Sequence, residues 1–306
     1  MPVLSHYTSR AGLEGISSTG ILRATSFLDV TGDTSEFFFG WNALIAGAKE
    51  LFLPRVPEDI RPTPDAFDAT MARVSGELRE QISRTDGVGH LFVTSFARGS
   101  TDDHERRGIL TLWDRYTRHE GYCLQFDEDH IRRLLQAEAR WTNYVALGLA
   151  PVTYGIRADA SDYQELCFQL AQFFLQQALI TSQDGRLAPE YDRMWPFFRL
   201  ARGLMDFCAR HKDPLYEDER EVRIFAYPAD YAEGRPFIGI ADVKTVHRME
   251  GGRRYICLAE QRQPKFRPNR ILVGARADRD VDDIPPRYLG RRDMPPVIER
   301  VALPVV

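Results

Sequence analysis

Charge is densest where the chain reads Glu217-Asp218-Glu219-Arg220-Glu221-Val222-Arg223-Ile224-Phe225, and this run passes directly into an apolar strand pattern. Side chains alternate across a strand, so Val222 and Ile224 share one face while Glu219, Glu221, Arg223 and Phe225 share the other. With the apolar pair turned to the core, Glu221 and Arg223 stand either on a solvated strand edge or on the wall of a cleft. A charge run is ordinarily solvated, and that is the simpler expectation here. A second polar run, Asp102-Asp103-His104-Glu105, with His119 and Glu120 further on, offers hard ligands suited to a divalent ion. Neighbouring residues seldom converge on one ion without backbone support, so we expect an exposed polar loop and no metal. A metal-dependent nuclease on that loop is the rival activity.

Near the start, His6-Tyr7-Thr8 sits at the end of a strand pattern, where a histidine is ordinarily a surface or satisfied core residue. Thr94-Ser95-Phe96, then Trp113-Asp114-Arg115-Tyr116 with Gly121-Tyr122-Cys123-Leu124, follow in order before the late charge run. Several enzyme signatures are missing. Gly87-Val88-Gly89 lacks a third glycine and precedes a strand, so it is not a dinucleotide phosphate loop. Nor does the sequence contain a Walker loop, a nucleophile elbow or a paired Cys-x-x-Cys.

Taken together, Leu4-Ser5-His6-Tyr7-Thr8-Ser9 with Gly12-Leu13 and Ile16, the Gly20 turn, Ala24-Thr25-Ser26, Asp33 to Glu36, Ser95-Phe96, Trp113, Tyr116, Gly121 and Glu219-Arg220-Glu221-Val222-Arg223 resemble a bacterial domain-of-unknown-function family. That family is itself similar to ADP-ribosyltransferases, including toxins that modify DNA bases. The resemblance covers roughly residues 4 to 226. It implies an enzyme that consumes NAD as a substrate and transfers ADP-ribose to a macromolecule, RNA or DNA among the candidates, in a toxin or antiphage-defence role with an antitoxin or other regulator as partner. Glu221 would then stabilise the ribosyl oxocarbenium ion, with Glu219 as the next candidate. His6 would bond a ribose hydroxyl, Thr8 would fix the adjoining loop, and Tyr7 would take part only at a twisted strand end. Tyr116 or Trp113 would stack on the nicotinamide, with core packing the simpler role for each. Ser95 would orient Glu221, and Arg10, Arg23 or Arg223 would meet the pyrophosphate. NAD glycohydrolysis and a non-catalytic nucleotide-binding or partner-recognition module are the alternatives.

The elements that must position these residues are legible in outline. Val3 to Tyr7 reads as a strand, and Ser9 caps a helix that ends at Gly20. Ile21 to Phe27 is the next strand. Asp33 and Glu36 fit a capping box before a helix with Phe37, Trp41, Leu44 and Ala48 on one face. Prolines from Pro54 to Pro64 mark an exposed connection to a helix over residues 66–82. Strands follow at His90 to Phe96, Gly121 to Phe126 and Pro151 to Ile156. Residues 98–108 read as a loop, Ile109 to Tyr116 as a short helix, and Asp127 as the cap of another. Two helices, Ser161 to Ile180 and one running to His211, lead into the Glu221 strand. Arg254 to Leu258, Ile271 to Ala275 and Val297 to Val305 are the last strands, with Gly251-Gly252 a turn. Strands at both ends with helices between them indicate α+β. We expect one domain over 1–306, an ADP-ribosyltransferase-like split mixed or antiparallel sheet with helical insertions near 54–86 and 157–211.

A chain of 306 residues, 43% hydrophobic and 27% charged, can bury a sizeable core. Its net charge of −4 gives no global attraction to nucleic acid or anionic membrane, although Arg262 to Arg279 is locally basic. Four scattered cysteines suit a reduced compartment. Without a leader pattern or a long apolar run, the expectation is a cytoplasmic protein with no membrane partner.

Overall fold

The computed structural model describes residues 2–30, 35–59, 61–83, 91–182, 200, 203–228, 245–261, 265–277 and 296–302. In chain order the strands are β1 (Val3–Thr8), β2 (Leu22–Ser26), β3 (Phe92–Arg98), β4 (Tyr122–Asp127), β5 (Tyr144–Pro151), β6 (Thr153–Tyr154), β7 (His211–Lys212), β8 (Glu221–Pro228), β9 (Arg248–Glu250), β10 (Arg253–Leu258), β11 (Arg270–Val273) and β12 (Val297–Arg300). The helices are α1 (Arg10–Thr19), α2 (Phe27–Val30), α3 (Ser35–Gly47), α4 (Pro64–Ser83), α5 (Asp102–Arg107), α6 (Leu110–Leu112), α7 (Glu128–Trp141), α8 (Ser161–Ser182) and α9 (203–210). The class is α+β, with a mixed sheet.

Ten strands form one sheet, and it forks at β3. One edge of β3 pairs with β8 from Phe92 to Ala97. On its other edge, β1 holds only the C-terminal end, with Leu4 opposite Arg98 and Ser5 opposite Ala97. There β2 holds only the N-terminal end, with Thr25 opposite Val93 and Ser26 opposite Phe92. Side chains satisfy backbone groups where the two strands part. His6 Nδ1 bonds the Ser95 carbonyl at 2.9 Å, and Thr94 Oγ1 donates to the Arg23 carbonyl at 2.8 Å. From the fork, β4, β11 and β12 extend the β1 arm, while β10 and β9 extend the β2 arm. Most pairs are antiparallel, but β11 and β12 run parallel.

Helices cover both faces. Leu13 and Ile16 of α1, and Ile131, Leu134 and Leu135 of α7, pack against Val222, Ile224 and Ala226. The opposite face places Phe225 and Tyr227 beneath Trp41 and Leu44 of α3 and Leu170 and Phe174 of α8. The α1 boundaries follow from their caps: Ser9 accepts from the Gly12 amide, and Gly20 takes the left-handed conformation at φ 64°. Asp127 caps α7 by accepting from the amides of Asp129 and His130. No helix among the described residues is long and apolar enough to cross a membrane.

Several local expectations change. Residues 98–108 are not all loop: Thr101 caps α5, whose first turn carries Asp102, Asp103 and Glu105 and whose last turn carries Arg106 and Arg107. That order complements the helix dipole and stabilises a short exposed helix. The strand expected at Pro151 to Ile156 lies mostly upstream as β5, with β6 a two-residue remnant. Asp33 of the expected capping box, Gly87 to Gly89, and Arg262 and Arg279 of the basic run lie outside the described residues. The largest change concerns β8. It is buried along its full length between β3 and β5, so the solvated-edge expectation for Glu221 and Arg223 fails.

Candidate active site in the sheet fork

The gap between the two arms opens into a cleft of about 1590 Å³. That exceeds the roughly 300–1,000 Å³ typical of sites for drug-sized molecules and leaves room for a dinucleotide. Its walls come from β1, β2, β3, the start of α3, the Arg115-Tyr116 turn and the segment from Lys212 to Arg223.

One side of the cleft is a buried ion network. Arg223 Nε reaches Glu221 Oε1 at 2.5 Å and its Nη2 reaches Oε2 at 2.9 Å, a two-pronged pair formed by residues two apart on one strand face. Arg223 also bonds Glu36 at the start of α3 and donates to the Ala209 carbonyl at 2.7 Å. Lys212 Nζ lies 2.6 Å from Glu219 Oε2 and 3.1 Å from Glu221 Oε2, with Glu36 at 4.0 Å. Glu219 further accepts from Arg115 and from the Tyr116 hydroxyl, the latter at 3.2 Å. Three carboxylates therefore meet three cations. Glu219, Glu221 and Arg223 are 3–5% exposed, and burial at that level is tolerable only with charge balance.

Local structure explains why they converge. β6 and β7 pair in parallel, with Tyr154 opposite Lys212, and the Tyr154 hydroxyl accepts from the Glu221 amide at 2.7 Å. Asp213 caps a 3₁₀ turn over Pro214–Glu219, which Arg220 ends in the left-handed region at φ 46°. That reversal turns Glu219 back beside Glu221, the first residue of β8.

The electrostatics follow from these contacts. Burial opposes the Glu221 charge, yet Arg223 and Lys212 beside it, with a contribution from Ser95, hold the carboxyl down to about 2. Burial likewise works against the Lys212 ammonium, but Glu221, Glu36 and Glu219 outweigh it and raise its pKa. His6 is pushed below its ordinary value by burial, which its bond to the Ser95 carbonyl only partly offsets. A neutral His6 therefore donates through Nδ1 to that carbonyl. Through Ser95, His6 and Glu221 belong to one connected wall.

The expected site residues separate into three groups. His6, Thr8, Ser95, Tyr116, Glu219 and Glu221 line the cleft together. Tyr116 stands at its mouth, 55% exposed, and Thr8 faces α1 so closely that a Cβ on Gly12 would lie 1.9 Å from its hydroxyl oxygen. Tyr7 borders the cleft, but its hydroxyl accepts from the Ile109 amide at 2.6 Å and its ring stands edge-on to Trp113. Trp113 is fully buried and donates to the Arg107 carbonyl at 2.8 Å, so it packs in the core. Arg223 is committed to Glu221 and Glu36, which removes it as a phosphate ligand. Of the remaining arginine candidates, Arg23 lies on the cleft wall beside Glu250 and Tyr255, whereas Arg10 pairs with Glu14 on the exposed side of α1. No group of three or more metal-ligating side chains occurs among the described residues, and Asp102 to Glu105 belong to α5, away from the cleft.

Sequence reasoning missed Lys212, Arg115 and the role of Glu36. Arg115 and Glu36 arrive from elements distant in sequence from β8, whereas Lys212 lies just across the 3₁₀ turn from it. Only Lys212 carried a usable signal, as a lone lysine between an apolar helix and an acidic turn.

A family model described as a protein of unknown function (DUF2971) matches residues 112–224, a segment that includes Arg115, Lys212, Glu219, Glu221 and Arg223. An imidazolonepropionase from Solibacter usitatus (strain Ellin6076) is 29% identical over 160 residues, which cover 48% of this chain and 37% of that protein. The chain thus spans little more than a third of that relative. No solved structure matches.

Proposed function

We propose that this protein consumes NAD at the sheet fork and transfers ADP-ribose to a macromolecular acceptor. The observation that carries this reading is the convergence of His6, Ser95, Tyr116, Glu219 and Glu221 in one dinucleotide-sized cleft between diverging strands. Resemblance to ADP-ribosyltransferases, with their split sheets, motivates the assignment, and the fork at β3 is consistent with it. In the reaction, the bond between the ribose C1′ and nicotinamide breaks, with its electron pair leaving on nicotinamide. An acceptor nucleophile then bonds C1′ and loses its proton. Glu221 and Glu219 stabilise the oxocarbenium charge and hold a ribose hydroxyl, while His6 bonds the other ribose and Tyr116 stacks on the nicotinamide. Arg23 on the cleft wall, and the basic composition of the chain from Arg262 to Arg279, leave room for a polyanionic acceptor such as RNA or DNA. A toxin or antiphage role, with a regulator that restrains it, fits that chemistry.

One observation supports a second reading. Three donors already hold Glu221, as they would in a non-catalytic nucleotide-binding or partner-recognition module.

Nicotinamide release and mass-shift analysis separate the two. The purified protein is incubated with NAD and, in turn, protein lysate, RNA and DNA, beside Glu221→Gln. The expected result is release with one added ADP-ribose on one polymer, reduced on the order of 100-fold in the variant. Glu221→Gln removes the partner of two buried cations, so its rate must be normalised to the folded fraction. Release without a modified polymer would indicate a glycohydrolase. NAD binding without turnover would favour the module.

A further inference from the structure

Among the described residues, Lys212 is the one group that touches both candidate carboxylates. Glu219 otherwise receives Arg115 and Tyr116, and Glu221 otherwise receives Arg223 and Ser95, so among the described residues the two acids share only this ammonium. We propose that Lys212 is a positioning residue that bridges Glu219 and Glu221, keeping both ionised at a fixed separation facing the cleft. The proposal deepens the NAD-consuming reading and rests on it for its catalytic meaning.

The groups facing the bridge come from every neighbouring element. Glu36 approaches from α3, Arg115 and Tyr116 from the turn after α6, Tyr154 from β6, Tyr216 and Glu219 from the 3₁₀ turn, Ser95 from β3, and Glu221 and Arg223 from β8. With Lys212 present, three carboxylates balance three cations. Without it, Glu36, Glu219 and Glu221 share two guanidiniums, and Arg115 and Arg223 hold different acids. Two carboxylates crowded into one site cannot both ionise easily, so one takes a proton from solvent. That proton would neutralise the charge meant for the oxocarbenium ion. The raised Lys212 pKa agrees with a permanent cation and argues against a nucleophilic amine.

The test has an activity arm and an arm that needs no activity. In the first, the pH profile of nicotinamide release is compared among wild type, Lys212→Met and Lys212→Arg. The acid limb should move up by about 1–3 pH units in Lys212→Met, with kcat falling more than KM rises, and Lys212→Arg should restore part of it. In the second, 13Cδ-labelled glutamates are titrated by NMR. Lys212→Met should show one more cleft glutamate taking up a proton above pH 5 than wild type does. An unchanged acid limb together with no new titrating glutamate would overturn the proposal. If wild type never releases nicotinamide, the parent reading fails, while the carboxylate titration still decides what Lys212 does. If Lys212→Met does not fold, wild type alone decides. A slowly exchanging Lys212 15N ammonium signal that persists to pH 9 supports the bridge, and its absence at pH 6 sinks it.

Discussion

Two stretches crowded with charge, Asp102–Arg107 and Glu217–Arg223, end in opposite environments. The first folds into α5, where Asp103 and Arg107 pair at 3.2 Å with both side chains 58% exposed. The second buries Glu219, Glu221 and Arg223 at 5% exposure or less. Composition does not separate them, since both mix acids and bases. The difference lies in what is interleaved. Val222, Ile224 and Ala226 commit β8 to the core, and strand alternation then forces Glu221 and Arg223 to its other face under α3 and α9. No apolar residue interrupts Asp102–Arg107, so nothing draws that helix inward. A charge run can thus be read by the apolar residues between its charges.

The comparison is tested hardest by Arg223→Met. The substitution leaves buried Glu221 and half-buried Glu36 without their main counterion, and removal of one partner from a buried pair costs about 3–5 kcal/mol. Chemical denaturation should show that loss. Arg107→Met on α5 should change unfolding by less than about 0.5 kcal/mol. Equal effects would mean that Arg223 is not the network's anchor.

A second test uses pH. Glu221 is depressed in the fold from its ordinary 4.5 to about 2, so its contribution is complete above 4.5 and is lost as pH falls from there toward 2. His6, an imidazole lowered from 6.5, follows the same direction: its neutral form is favoured in the fold, and stability declines once pH falls below 6.5. Unfolding free energy should therefore decrease in two stages on acidification. His6→Asn keeps a donor for the Ser95 carbonyl and should flatten the slope between pH 7 and 5 while sparing the lower stage. A slope unchanged in that variant would place the upper stage on another group.

Much of the frame was legible because its signals are local. Ser9 and Gly20 bound α1 through their own backbone and side-chain bonds, Asp127 caps α7, and Gly251-Gly252 with φ of 58° and 78° turn β9 into β10. The grouping of His6, Ser95 and Glu221 was expected only through the resemblance, because the fork that places them on one cleft is made by pairings between distant strands. The burial of β8 was not legible, because β5 alternates small residues, Ala146, Gly148 and Ala150, and carries a weak strand signal. Nor were the other members of the network legible: Arg115 reaches Glu219 and Glu36 reaches Arg223 only through tertiary packing, and Lys212, although near in sequence, meets both acids only because the 3₁₀ turn folds back beside it. Trp113 misled for a related reason. It adjoins Tyr116 in sequence, but the turn directs one ring to the core against Tyr7 and the other to the cleft mouth.

A comparably small effect should come from Asp103→Ala. Its partner Arg107 is one helical turn away, and both side chains stand in water, where an i,i+4 pair contributes about 0.3–0.5 kcal/mol. Asp103 also lies in the first turn of α5, where a negative charge meets the helix dipole, and losing that adds a similar increment that salt should screen. The variant should therefore unfold within about 1 kcal/mol of wild type, with the difference shrinking further in 1 M salt. The same salt should leave the Arg223→Met deficit nearly intact, because ions cannot enter a buried network to replace the missing guanidinium. Measuring both variants at low and high salt turns the contrast between the two charge runs into one of screening. A large, salt-resistant loss in Asp103→Ala would mean that α5 is held by more than its own charges and would end the description of it as a solvated helix.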